Sequence, residues 1–220
     1  MSIISVSCNG QHKTYPSKDS INHTSPKLFD NDLYFISSST VVSSIGLKNI
    51  TRNILQDKNG LIWFVSWEGI ISFDGSSFIN MTNKDSLRPY HVFSLIEDND
   101  GNPWFGTIGA EVYFYNGKTF TNFTTKEGLA NNRVGCIAKD KAWNIWFDTE
   151  AGVSRYDGAS FHNFTTEDGQ SNNDVNSILE DKTGTIWFGT LSGAGRYDGK
   201  HFNYFWVNQY TRNLSQLKAN

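Results

Sequence analysis

Two sets of loops in this 220-residue chain carry the residue types that could recognise or process a polar molecule. "LRPYH", "LANNR" and "QSNND" place Tyr90-His91, Asn132-Arg133 and Asn173-Asp174 at matching distances ahead of apolar runs. The other set offers Trp67-Glu68, Glu111, Glu150 and Ser192. Aromatic, amide, carboxylate and guanidinium groups converging on a rigid frame are the chemistry of a pocket for a small polar ligand such as an oligosaccharide. Each of these residues alone has a plainer use, since Asn ahead of a strand commonly bonds its own backbone. The ligand-binding expectation therefore rests on the set. Glu68 and Glu150 facing each other could serve as acid and base for glycan cleavage. His91 is the only histidine placed to act as the base of a lyase, and it has no evident partner.

Other reactive patterns fall away. "DNDGN" at Asp98–Asn102 is similar to a calcium loop, but the glutamate required at its twelfth position falls on Gly109. It reads as a hairpin turn. "D-x-x-G-x-x-W" resembles the Asp-box of sialidases with one residue too many before the glycine, and no arginine cluster for a sialic carboxylate accompanies it. His12, His23 and His162 are scattered, and neither H-x-H nor HExxH occurs. A G-x-S-x-G elbow is lacking as well. No catalytic residue, metal ligand or cofactor is assigned.

The elements that must position the loops come from a repeat. Trp63, Trp104, Trp146 and Trp187 are separated by 41, 42 and 41 residues. After each comes an Asx-Gly pair: Asp74-Gly75, Asn116-Gly117, Asp157-Gly158 and Asp198-Gly199. Phe73, Tyr115, Tyr156 and Tyr197 sit two residues before these glycines, and Phe78, Phe120, Phe161 and Phe202 three residues after. Met81, Phe123, Phe164 and Phe205 follow three later. Each unit divides into four short strands. The first, as in "VNSILED", is apolar on both faces and is expected to be the most buried. Asn53, Ser94, Cys136 and Ser177 supply small side chains at its middle, where strands crowd near an axis. No segment shows a helical period of useful length.

Four-stranded units of this length imply an all-β fold, a β-propeller. Burying one Trp removes about 150–250 Å² from water, worth roughly 4–6 kcal/mol as an upper estimate. One twisted sheet cannot cover such a row, so each unit needs a neighbour. Aromatics at 15% and charged residues at 19% agree with many short strands. The net charge of −3 and the lack of basic clusters exclude a nucleic-acid surface, and no apolar run is long enough to span a membrane.

Four clear repeats occupy about residues 47–205, inside a single propeller domain over 27–220. "DNDLYFISSSTVVSSIGL" before them looks like the third and fourth strands of a worn fifth unit. "TRNLSQ" at Thr211 echoes "TRNILQ" at Thr51. The expectation is five blades, with the termini sharing one; the alternative is a piece of a larger propeller. Residues 1–26 form a separate segment whose "IISVSCNGQ" resembles the end of a lipoprotein signal, making Cys8 a possible lipid anchor. Cys136, in an apolar run, is expected to be a small buried residue.

"NDVNSILEDKTGTIWFGTLSGAGRYDGKHF" resembles the two-component regulator propeller repeat of bacteria. Three units match well and the first less so, over about three quarters of the chain. The resemblance implies a non-enzymatic, sensor-type propeller, periplasmic or extracellular, that detects carbohydrate or other nutrients. No kinase, DNA-binding segment or membrane span follows the repeats, so the expectation is a sensing propeller that stands alone or passes its signal to a protein partner. A protein-binding scaffold is the first alternative and a propeller lyase or glycan-cleaving enzyme the second.

Overall fold

The structure, a computed structural model, describes residues 42–43, 50–168, 175–191 and 193–206. Cys8, Asn173, Asp174, Ser192 and the echo at Thr211 lie outside the described residues. After the two-residue strand β1 (Val42–Ser43) comes the first blade, with β2 (Thr51–Gln56), β3 (Ile62–Ser66), β4 (Gly69–Phe73) and β5 (Phe78–Asn80). The second blade has β6 (Val92–Glu97), β7 (Pro103–Thr107), β8 (Val112–Tyr115) and β9 (Phe120–Phe123). The third has β10 (Val134–Lys139), β11 (Ile145–Thr149), β12 (Gly152–Tyr156) and β13 (Phe161–Phe164). The fourth has β14 (Val175–Glu180), β15 (Ile186–Thr190), β16 (Gly193–Tyr197) and β17 (Phe202–Trp206). Every blade is an antiparallel meander in chain order. First strands pack in sequence, β2 on β6, β6 on β10 and β10 on β14.

The tryptophans are aimed by their turns. The indole N–H of Trp63 donates to Asp57 Oδ2 at 2.9 Å, Trp104 to Asp98 at 3.1 Å, Trp146 to Asp140 at 2.8 Å and Trp187 to Asp181 at 2.8 Å. The other oxygen of each carboxylate accepts backbone N–H groups of the turn, such as those of Asn59 and Leu61 on Asp57. One carboxylate therefore closes the turn and fixes the ring.

Trp63, Trp104 and Trp146 each enter a socket on the next blade. Trp63 lies 5.4 Å from Phe105, 5.1 Å from Tyr115 and 6.4 Å from Phe120, centroid to centroid. Trp104 meets Phe147 and Tyr156, and Trp146 meets Phe188 and Tyr197. The cores lie between blades, as the need of each unit for a neighbour requires.

Three details differ from the sequence expectation. In the second and third blades the second strand, not the first, is the most buried: β7 and β11 are buried along their whole length. They have a strand on each edge and a neighbouring blade across their faces, while the first strands have an edge on the axis. Met81 does not extend a strand but opens a one-turn helix, α1 (Met81–Lys84), capped by the Asn80 side chain, which accepts the Asn83 N–H. Lastly, Val42–Ser43 does not belong to a separate fifth sheet. It pairs with Phe78 and Ile79 on the outer edge of the first blade. The described residues thus form an arc of four blades, in keeping with the partial propeller. Cys136 is buried, as expected.

The hairpin turn between first and second strands has glycine in left-handed conformation at Gly60, Gly101 and Gly184, with φ of 84°, 77° and 88°. In the third blade Trp143 holds that conformation at φ 70°, its ring exposed and 5.3 Å from Lys139 Nζ. A left-handed non-glycine residue costs about 1–2 kcal/mol, against about 0.5–1 kcal/mol from an exposed cation–π contact. Trp143→Gly is therefore expected to raise stability by about 0.5–1 kcal/mol in urea unfolding. Asp140→Ala, which orphans the buried Trp146 N–H, is expected to lower it by about 2–4 kcal/mol in the same measurement.

Candidate functional site

The loops between second and third strands meet the segments that enter the first strands at one end of the arc. Most of the residues with candidate chemistry lie there in a connected line. Trp67, in the β3–β4 loop, donates its backbone N–H to Ile50 O at 3.2 Å. Its ring stacks on His91 with 5.0 Å between centroids and 7° between planes. Trp67 is 38% exposed, whereas His91 is buried. This stack joins the first blade to the second. Glu68, beside it, uses its carbonyl to accept from Asn80 Nδ2 at 2.9 Å.

His91 O accepts the Ile108 N–H at 3.2 Å, which brings in the loop between β7 and β8. Tyr90 is buried, and its ring fills the space a side chain would need at Gly109. The Arg88 guanidinium sits 5.5 Å from that ring's centroid, and Arg88 N–H donates to the Tyr113 hydroxyl at 3.0 Å. Asn132 reaches the same loop from the following linker. Its carbonyl accepts the N–H groups of Gly109 and Glu111, both at 3.1 Å. Next to it, Arg133 Nε donates to Glu150 Oε1 at 2.6 Å. Arg133 also pairs with Ile108 in an isolated bridge.

Glu111 is the least ordinary member. The third strands of the other blades begin at Gly69, Gly152 and Gly193 with φ of 105°, 116° and 132°. Glu111 takes that place at φ 62°, a conformation L side chains rarely adopt. Its carboxylate is buried and bonded by Arg88 Nη1 at 2.8 Å. Burial pushes its pKa up, and the Arg88 charge and the Asn122 amide oppose that rise. Strain of this kind persists where the surrounding structure enforces it, often at working sites.

Sequence reasoning missed three residues here. Arg88 stands inside the quoted "LRPYH", two residues before Tyr90. Tyr113 anchors its backbone. Asp148 replaces the glycine of "WFGT", as "WFDT", and is a buried carboxylate facing Gly135. That departure from the repeat was its available signal.

Residues 169–192 match the profile of the two component regulator propeller. The chain carries the two-component regulator propeller repeat. No curated protein matches the sequence. Among solved structures, the chain is similar to the extracellular domain assigned to a hybrid two component system of B. thetaiotaomicron. The two share 26% identity at a TM-score of 0.66, over 74% of this chain and 24% of that one. A second extracellular domain, assigned to a one component system of the same organism, gives 17% identity and a TM-score of 0.59, over 73% and 25%. Virginiamycin B lyase of Staphylococcus aureus gives 14% and 0.57 over 74% and 58%, a likeness of fold. The chain spans about a quarter of the length of the two extracellular domains. Among the described residues no helix is long and apolar enough to cross a membrane.

Away from the rim, the "RYDG"-type turn of the propeller repeat is closed by its own carboxylate. Asp74 Oδ1 accepts the N–H of Ser76 and Ser77, and Asp157 and Asp198 do the same for the residues two and three on. These donors hold Asp74 down at about 2 and lower Asp157 and Asp198. A carboxyl group lowered on folding stabilises above its unfolded pKa of about 3.9 and loses that contribution as pH falls through the folded value. Melting temperature is expected to drop between pH 4 and pH 2, and Asp74→Asn to flatten part of that drop. Thermal melts monitored by circular dichroism across that range check it.

Proposed function

We propose that this chain is a non-enzymatic sensor propeller that takes a small polar ligand of the carbohydrate class at the rim described above. The observation carrying the reading is the line from Trp67 through His91, Tyr90, Arg88 and Glu111 to Asn132. It puts an exposed indole and a strained, ion-paired carboxylate on one end of a rigid frame. A flat aromatic ring suits the apolar face of a sugar. Carboxylate, guanidinium and peptide groups suit its hydroxyls. Glu150 and Arg133 extend the polar rim, and Asn173 and Asp174 stand at the matching places in the sequence, ahead of Val175.

The likeness to extracellular domains of sensor systems supports this reading and a place outside the cytoplasm, periplasmic or extracellular. Lipid attachment through Cys8 is part of the same proposal. Output would pass to a protein partner.

Glu68 and Glu150 do not favour a cleaving enzyme, because Glu150 is ion-paired to Arg133 at 2.6 Å. His91 lies buried under the Trp67 ring rather than open to a substrate.

A thermal-shift series against neutral and acidic oligosaccharides tests the proposal. A ligand at 100 times its Kd adds about 2.7 kcal/mol, a rise of roughly 5–11 °C at this size. The rise is expected for at least one saccharide and should vanish in a Trp67→Ala, Arg133→Ala double variant that still melts cooperatively. A rise that survives both substitutions would place binding elsewhere. A flat response to the whole series would sink the carbohydrate reading.

A further inference from the structure

The turns between first and second strands lie at the end of the blades away from the rim, and lysines tie them together across blade boundaries. Lys58, in the turn of the first blade, donates its ammonium to Asp100 O in the turn of the second. Its stem runs over Gly101, where a Cβ would stand 2.7 Å from Lys58 Cδ. Lys141, in the third blade, crosses to the fourth in the same way. It donates to Asp181 O at 2.6 Å and has Glu180 Oε1 at 3.7 Å. The boundary between the second and third blades breaks this pattern. Asn99 holds the place of the crossing lysine, and Lys139 holds the place of Glu180 at the end of the first strand. Trp143 holds the place of Gly101, which a crossing lysine needs kept clear.

Trp143 is 55% exposed at a φ of 70°, so its indole faces water from a backbone conformation that glycine takes in the other three turns. Lys139 Nζ lies 5.3 Å from the ring centroid, and among the described residues its ammonium enters no ion pair. Lys141, Ala142 and Asn144 around the ring are polar or small. The indole is thus a single flat apolar surface beside a cation, not part of a larger apolar patch. A protein partner needs a contiguous apolar core. One sugar ring needs only a flat aromatic surface for its apolar face.

We propose that Trp143 and Lys139 form a second ligand site, for an anionic saccharide, with the sugar ring stacked on the indole and its carboxylate or sulfate bonded by the Lys139 ammonium. Charge-assisted hydrogen bonds are roughly twice as strong as neutral ones, so the site prefers a charged sugar to its neutral counterpart. Strained residues gather where a structure does work, and Trp143 is strained with its ring outward. The site lies at the opposite end of the strands from Trp67 and Glu111 and is independent of any ligand at the rim.

Isothermal titration calorimetry on the full chain tests it, with an oligogalacturonate and with the same oligomer after methyl esterification of its carboxylates. The acid is expected to bind at least about tenfold more tightly than the ester, the difference between a charged and a neutral hydrogen bond. Trp143→Gly should abolish binding while melting above the wild type, which separates loss of the ring from loss of the fold. Lys139→Gln should bring the acid down to the level of the ester. A Trp67→Ala, Arg133→Ala double variant that melts cooperatively should titrate as the wild type does. No binding of the acid overturns the proposal, as does binding that survives Trp143→Gly or is lost in the rim double variant. Equal affinity of the wild type for acid and ester overturns the anionic assignment. Polyglutamate that displaces the oligomer on equal terms overturns the saccharide assignment in favour of an acidic peptide.

Discussion

One charge-assisted hydrogen bond organises the whole arc. A turn aspartate takes backbone N–H groups on one oxygen and the indole N–H on the other. A tryptophan on a strand otherwise has rotameric freedom, and its ring has a polar atom that must find a partner when buried. The aspartate satisfies that atom and removes the freedom together, so the ring leaves its own blade in a single direction. Everything between blades follows from that direction. Because the carboxylate also closes the turn, the turn's other positions are released from that duty. Trp143 in place of glycine is the visible result: a strained backbone is tolerated because the Asp140 carboxylate holds the turn through Asn144 and Trp146.

This division of labour accounts for where the chain varies. Aspartate, tryptophan and the socket aromatics recur because each copy serves its neighbour. The segments at the other end of the strands carry no such recurring set, and they are where Glu111 displaces a glycine and where the ion pairs Arg88–Glu111 and Arg133–Glu150 occur. A residue with left-handed φ and a buried carboxylate is expensive, and the frame beneath it absorbs the cost. The rim can therefore change chemistry without changing the fold. Solved structures that share only 14–26% identity with this chain have a similar fold.

Much of this was legible in the sequence because it is periodic. Spacing of 41 or 42 residues between tryptophans, and the Asx-Gly turns after them, imply four-stranded blades and the position of every hairpin. The bond from Asp57 to Trp63 was equally available as a constant step of six residues, and only geometry made its meaning plain. Non-periodic features were harder to read. The burial of the second strands follows from their having neighbours on all sides, which no single strand's pattern records. The attachment of Val42–Ser43 to Phe78 and Ile79 depends on a free outer edge, a property of the sheet and not of the segment. At the rim, residue type identified Trp67, Glu111 and Arg133, but burial of Tyr90 and His91 came from Gly109 and the Trp67 ring, which lie in other loops.

The rim and the interfaces are mechanically one system. Trp67 belongs to the first blade and His91 to the second, so their stack crosses an interface at the end where the candidate chemistry lies. Asn132 crosses the next interface by holding Gly109 and Glu111 through its carbonyl. Any molecule gripped by two such loops touches two blades, and the angle between those blades is set by a ring in a socket beneath. Packed interfaces are stiff, and stiff elements transmit small displacements instead of absorbing them. A displacement of one rim loop therefore reaches two blades at once, through the Trp67–His91 stack and the Asn132 carbonyl.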